Sequence, residues 1–204
     1  LPMAFSPKLG RLRADVCIFL ICDVQERFAP VIHKFASVVT GAQRLTATAK
    51  LLDVPVLVTE QYPKGLGPTV GDLASAFADA QVSKFEKTDF TMVTERVKEA
   101  LKNAPFQGRE HVVLVGLEAH VCVQQTTLDL LEMGYGVHLC VDAISSQQPT
   151  DRAAGLTRVD RAGAFITTTE SVMMELIRSK DHSKFKEISG ILKTMKPEDP
   201  LSYP

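Results

Sequence analysis

The stretch V-C-I-F-L-I-C-D-V, residues 16 to 24, decides the fold. Seven apolar residues in succession do not alternate, so neither face of the segment is meant for water. A strand covered by helices on both faces has this pattern. The charge at Asp23 marks where the chain leaves the core. Around this segment, short apolar runs alternate with stretches of helical period, the signature of a parallel sheet.

Working outward, a helix is expected over residues 34 to 52, with Val38, Ala42, Leu45, Ala49 and Leu52 near one face. V-P-V-L-V-T-E, residues 54 to 60, reads as the second strand. A Pro- and Gly-rich loop follows from Gln61 to Gly71. Residues 81 to 85 form a weak third strand and 92 to 102 a helix. H-V-V-L-V-G-L, residues 111 to 117, is a strong strand. A helix over 121 to 132 follows, ended by Gly134, which suits the left-handed position after a helix. Residues 137 to 143 and 164 to 168 are further strands. Helices are expected over 151 to 162, 170 to 179 and 184 to 196, with Pro197 stopping the last.

The sum is a three-layer α/β/α doubly wound, Rossmann-like arrangement with about six mostly parallel strands. The whole of 1–204 is expected to be one domain, with a core from about 15 to 180 and a helical tail from about 184 to 196. The length of 204 residues fits this, because two separate cores would each be small. The tail residues Ile188, Ile191 and Leu192 fit packing on another subunit or back on the parent domain.

Composition removes several classes. With 23 Lys and Arg against 24 Asp and Glu, the net charge is -1, which lacks the basic excess of a nucleic-acid binder. Lys and Arg between 178 and 186 are interleaved with Asp181, a solvated face. No apolar run is long enough to span a bilayer. Cys17, Cys22 and Cys140 sit in apolar contexts, where a reduced thiol is a small hydrophobe, so a cytoplasmic setting is expected. Lys8, Arg11 and Arg13 without nearby acids keep mitochondrial targeting as the alternative, and Leu1 and Pro2 ahead of Met3 read as additions to a natural start.

Ligands in doubly wound sheets bind beyond the carboxyl ends of the strands. Three reactive residues fall at that edge. Asp23 ends the first strand, Lys87 follows the third, and Cys122 follows the fourth at the start of a helix. A thiol there sees unpaired N–H groups and the positive end of the helix dipole, which favour the thiolate. A carboxylate can take the thiol proton, and a lysine can hold that carboxylate ionised. Each residue also has a plainer reading: Cys122 as a buried helix residue, Asp23 as a cap or salt-bridge partner, Lys87 as a solvated lysine competing with Lys84.

D-V-Q-E-R-F (23–28), T-E-Q-Y-P-K-G-L-G (59–67), K-T-D-F-T-M (87–92) and G-L-E-A-H-V-C-V-Q-Q-T (116–126) together resemble the isochorismatase-like cysteine hydrolases. The similarity runs from about Asp15 to Ile191, with the motifs in the family's order. It implies Asp23, Lys87 and Cys122 as the catalytic triad, the K-x-x-F spacing to Phe90 selecting Lys87 over Lys84. It implies a cis peptide at Leu117–Glu118 that aims backbone N–H groups near Val121 at the oxyanion. The implied chemistry is hydrolysis of a small amide or related C–N carbonyl compound through a thioester-type intermediate. A homo-oligomer is implied too. Members with a metal carry an Asp and two His after the second strand; Glu60, Gln61 and Tyr62 stand here, so no metal and no cofactor are expected. Gln25, Phe28, Gln61, Tyr62 and Phe90 are candidate substrate contacts, with ordinary packing as the alternative. His120 is a pocket wall or a base. A catalytically silent interaction or regulatory protein is the rival to the enzyme.

Overall fold

A computed structural model describes residues 9–203. The segment 1–8, which includes Leu1, Pro2 and Lys8, lies outside the described residues. Six strands form one sheet: β1 Cys17–Cys22, β2 Val56–Gln61, β3 Val82–Lys87, β4 His111–Leu117, β5 Gly136–Ser145 and β6 Phe165–Thr167. The helices are α1 Phe35–Leu52, α2 Pro63–Leu66, α3 Gly71–Ala76, α4 Glu95–Leu101, α5 Cys122–Glu132, α6 Pro149–Arg161, α7 Thr169–Ile177 and α8 Phe185–Thr194. Every strand pairing is parallel, in the order β3-β2-β1-β4-β5-β6. The order reverses direction between β1 and β4, so the crevice beyond their carboxyl ends is the expected ligand position.

The unbroken apolar run of β1 has the predicted cause. Cys17, Phe19 and Ile21 join one core with Val38, Ala42 and Leu45 of α1 and Val172 of α7. Ile18, Leu20 and Cys22 join a second core with Val97 of α4, Val123 and Leu130 of α5, and Leu156 of α6. Two apolar layers sandwich the sheet, and each fully buried Leu or Ile contributes about 1.5–3 kcal/mol. Gly116 permits the closest approach at the switch point. Its φ is +141°, and a Cβ there would lie 2.3 Å from the Cys22 carbonyl oxygen.

Two local readings differ from the sequence expectation. The 61–71 loop contains α2, started by Pro63 at its first turn, where a missing N–H costs nothing. It is too short for a hydrophobic period to reveal. The third strand runs on to Lys87 rather than ending at Phe85. It is the edge strand, half-exposed and charged at Lys84 and Glu86, as edges commonly are. The tail packs back on its own chain: Ile188 and Leu192 of α8 lie against Met173 and Ile177. Beyond it, Arg44 donates to the Met195 carbonyl at 2.6 Å and Arg152 to that of Ser202 at 2.7 Å. Among the described residues no helix is long and apolar enough to cross a membrane.

Neighbouring strands also join two histidines far apart in sequence. His111 Nδ1 and His138 Nε2 are 3.1 Å apart, and His138 stacks on Phe165 with centroids 4.7 Å apart. Burial first, then the neighbouring His111, pushes the His138 pKa down from 6.5 to about 3. Burial also lowers that of His111, partly offset by Glu110 and Glu175. Both rings are therefore neutral in the fold and take up protons on unfolding. The stability His138 contributes this way is fully present above pH 6.5 and drains as pH falls from there towards about 3, at roughly 1 kcal/mol per pH unit, and His111 acts in the same direction. Urea midpoints between pH 7 and 4 should fall accordingly, and the slope should flatten in His138→Phe, which keeps the stack without the titration. An unchanged slope in that variant would assign the loss to other groups.

Candidate active site

Asp23 follows β1 with φ +55°, a left-handed turn that ends the strand. Its side chain is 1% exposed, so its charge needs partners. Lys87 Nζ, from the last residue of β3, lies 2.7 Å from Asp23 Oδ2 and is itself 1% exposed. Thr59 Oγ1 donates to Asp23 Oδ1 at 2.8 Å, and the Cys22 thiol donates to Oδ2 at 3.4 Å. Lys87 further donates to Gln61 Oε1 at 2.6 Å and to the carbonyls of Asp89 and Phe90 at 3.1 and 3.0 Å. Burial alone would lower the Lys87 pKa; the neighbouring Cys22, Asp23 and Cys122, with the Asp23 hydrogen bond, outweigh it and raise it. The amine is a fixed cation. Lys84 is instead half-exposed and 3.2 Å from Glu60, which separates the two lysines that the sequence left in competition.

Cys122 is the first residue of α5 and 5% exposed. Its side chain lies beside that of Cys22, whose thiol is held well above its ordinary value by burial first, then by Cys122 and Asp23. The contacts therefore run from Cys122 through Cys22 to Asp23 and Lys87. Cys22 reads in sequence as a core hydrophobe. Only the register pairing Cys22 with Gly116, six residues before Cys122, brings it to the site.

Cys122 lines a cavity of about 580 Å3. Its apolar and aromatic lining comes from Phe28, Tyr62, Leu66 and Phe90, and its polar lining from Glu118, His120, Gln147, Gln148 and Asp151. Of the expected substrate contacts, Phe28, Gln61, Tyr62, Phe90 and His120 reach this cavity. Gln25 does not: it is fully buried, donates to the Gln61 and Gly67 carbonyls at 3.0 and 2.7 Å, and accepts from Gln61 N at 2.7 Å. It braces the loop because backbone polar groups there need partners away from water. His120 lies with Nδ1 3.1 Å from Ser146 Oγ and 3.5 Å from Glu118 Oε2, a wall position.

The turn before Cys122 also differs from expectation. Among the described residues the cis peptide is Ala104–Pro105, not Leu117–Glu118. The chain reverses instead through a left-handed Glu118, φ +57°. Leu117 is fully buried in the first core. The N–H of Val121 is committed to the Glu118 carbonyl at 2.9 Å, so it is not a free oxyanion donor here. Glu60, where metal-binding members place ligands, spends Oε1 on Thr69 N and Oγ1, both at 2.7 Å. Among the described residues no group of three His, Cys, Asp or Glu could hold a metal.

Comparison with known proteins identifies the family and the fold. The family profile described as Isochorismatase domain covers residues 17–171. Isochorismatase domain-containing protein 1 of Danio rerio is 46% identical over 193 residues, covering 95% of this chain and 66% of its own length. The chain thus spans just under two thirds of that relative. The solved structure of MAR1 ribonuclease from Caenorhabditis elegans superposes with a TM-score of 0.86 at 41% identity, covering 95% of this chain and all of that one. YcaC from Pseudomonas aeruginosa, solved with hexane-2,5-diol and covalent acrylamide, gives 0.78 at 26% identity, with 92% and 93% covered. With three-quarters of the sequence inside the profile and its motifs converging on one crevice, the chain belongs to the isochorismatase domain family.

Proposed function

We propose that this chain, acting as one domain, is a metal-independent cysteine hydrolase of a small amide or related C–N carbonyl compound. The observation that carries it is the buried Lys87–Asp23 pair lying against Cys22 and, through it, Cys122 at a cavity wall. Asp23 takes the Cys122 proton, and the sulfur attacks the carbonyl carbon. The tetrahedral intermediate collapses as the C–N bond breaks, and the amine leaves with the proton from Asp23. Water, deprotonated by Asp23, then attacks the thioester. The carboxylic acid departs and the thiol is restored. Lys87 keeps Asp23 ionised between steps. The soft electrophile carried covalently by the P. aeruginosa YcaC supports a reactive nucleophile in this fold.

Iodoacetamide provides the test. Cys17, Cys22 and Cys140 are fully buried, so the native protein should take up one carbamidomethyl group, on Cys122, with loss of turnover. Labelling confined to another cysteine sinks the reading. Labelling of Cys122 with no turnover across a panel of amides hands the case to the regulatory rival. The name of the C. elegans relative makes RNA the further compound to test. Glu118 and Asp151 at the cavity repel phosphate, and no cleavage is expected. Cleavage abolished by Cys122→Ser would replace the amide with a phosphodiester. Light scattering on the same preparation tests the homo-oligomer that the family resemblance implies.

A further inference from the structure

We infer that the substrate of this site carries an organic cation, an ammonium or guanidinium group, held in the cavity that aromatic rings and the carboxylates of Glu118 and Asp151 line together. The inference rests on the proposed reading of Cys122 as nucleophile and adds the charge class of what it attacks. Glu118 is 8% exposed and lines the Cys122 cavity. Its Oε1 accepts from Gln147 Nε2 at 2.9 Å, while Oε2, fully shielded, makes no hydrogen bond among the described residues. A buried carboxylate oxygen in this condition costs free energy unless a donor reaches it. The nearest ring nitrogen, His120 Nδ1, is 3.5 Å away and already 3.1 Å from Ser146 Oγ.

A second carboxylate, Asp151 Oδ2, lies 3.9 Å from His120 Nε2 and belongs to the same lining. None of the residues lining the cavity is Lys or Arg. Lys87 is neutralised by Asp23 at 2.7 Å. Phe28, Tyr62 and Phe90 line the cavity too, the last two more than half exposed. Aromatic rings and carboxylates in one cavity attract cations by ring quadrupole and Coulomb terms together. An anionic substrate would meet Glu118 and Asp151 with no basic side chain in the lining to offset them.

Charge-graded thiosulfonates read this directly, without turnover. The Cys122 sulfur attacks the sulfenyl sulfur, an S–S bond forms, methanesulfinate leaves, and the thiol proton passes to Asp23 or buffer. Rates with trimethylammonioethyl and sulfonatoethyl methanethiosulfonate are measured on the native protein, and their ratio is divided by that for a small neutral thiol. The ratio should exceed the free-thiol value by on the order of 10-fold. It should fall by about that factor in Glu118→Gln/Asp151→Asn. Asp151 is half-exposed, so Asp151→Asn alone keeps the test alive if the double variant misfolds, with a fall of about 3-fold. A normalised ratio at or below one, or one unmoved by these substitutions, overturns the inference. A preserved ratio without amide turnover would remove the hydrolase reading while leaving the cation site standing. In an amide panel differing only in charge, the cationic member should show the highest kcat/KM.

Discussion

Cys122→Ser and Asp23→Asn should each lower amide turnover by on the order of 10^3-fold or more, with the double variant little worse than either single one. The two groups act on one proton, so removing either interrupts the same step, and such effects do not add. Serine keeps the size of the side chain but holds its proton too tightly for a buried carboxylate to remove. Asparagine keeps the shape of Asp23 and its bond from Thr59 but cannot accept the proton. Single-turnover rates on a good amide substrate measure this. Additive losses, or an Asp23→Asn variant within about 10-fold of wild type, would show that another group serves as base.

Lys87→Met should cost about 3–5 kcal/mol of stability, because it leaves Asp23 ionised, 1% exposed and without its counter-ion. Thr59 and Cys22 would still donate to the carboxylate, but neither carries charge. The carbonyls of Asp89 and Phe90 and the amide of Gln61 would lose their donor as well. Asp23→Asn/Lys87→Met should recover much of the loss, since a neutral pair needs no desolvated charge. Urea midpoints of the four proteins close a double-mutant cycle, with an expected coupling of about 2 kcal/mol or more. A Lys87→Met midpoint within about 1 kcal/mol of wild type would mean that Asp23 is protonated or reached by water. The same variant also separates Lys87 from Lys84, which is half-exposed where it pairs with the buried Glu60.

The layering was legible in the sequence because its cause is repeated along the chain. Cys17 to Cys22 and His111 to Leu117 are buried along their whole length, and a strand covered on both faces leaves an apolar run. Edge and short elements left weaker traces. β3 faces water at Lys84 and Glu86, and α2 is a single turn. The placing of Asp23, Lys87 and Cys122 at one edge followed from strand ends alone. The family resemblance then selected among lysines that composition could not rank.

The roles of individual side chains in the crevice were not legible. Whether Gln25 lines a cavity or braces a loop, and whether Glu118 faces solvent or the nucleophile, depends on turns at Asp23 and Glu118. Both residues have positive φ, a conformation that no hydrophobic period records. The sequence by itself determined the two-faced sheet, because burial selects residue type at every position of a strand. Only the tertiary structure decided that Cys22 touches Cys122, that two distant histidines pair, and which carboxylates face the cavity. Those facts arise from register and from single backbone angles, and neither depends on residue type strongly enough to be read in advance.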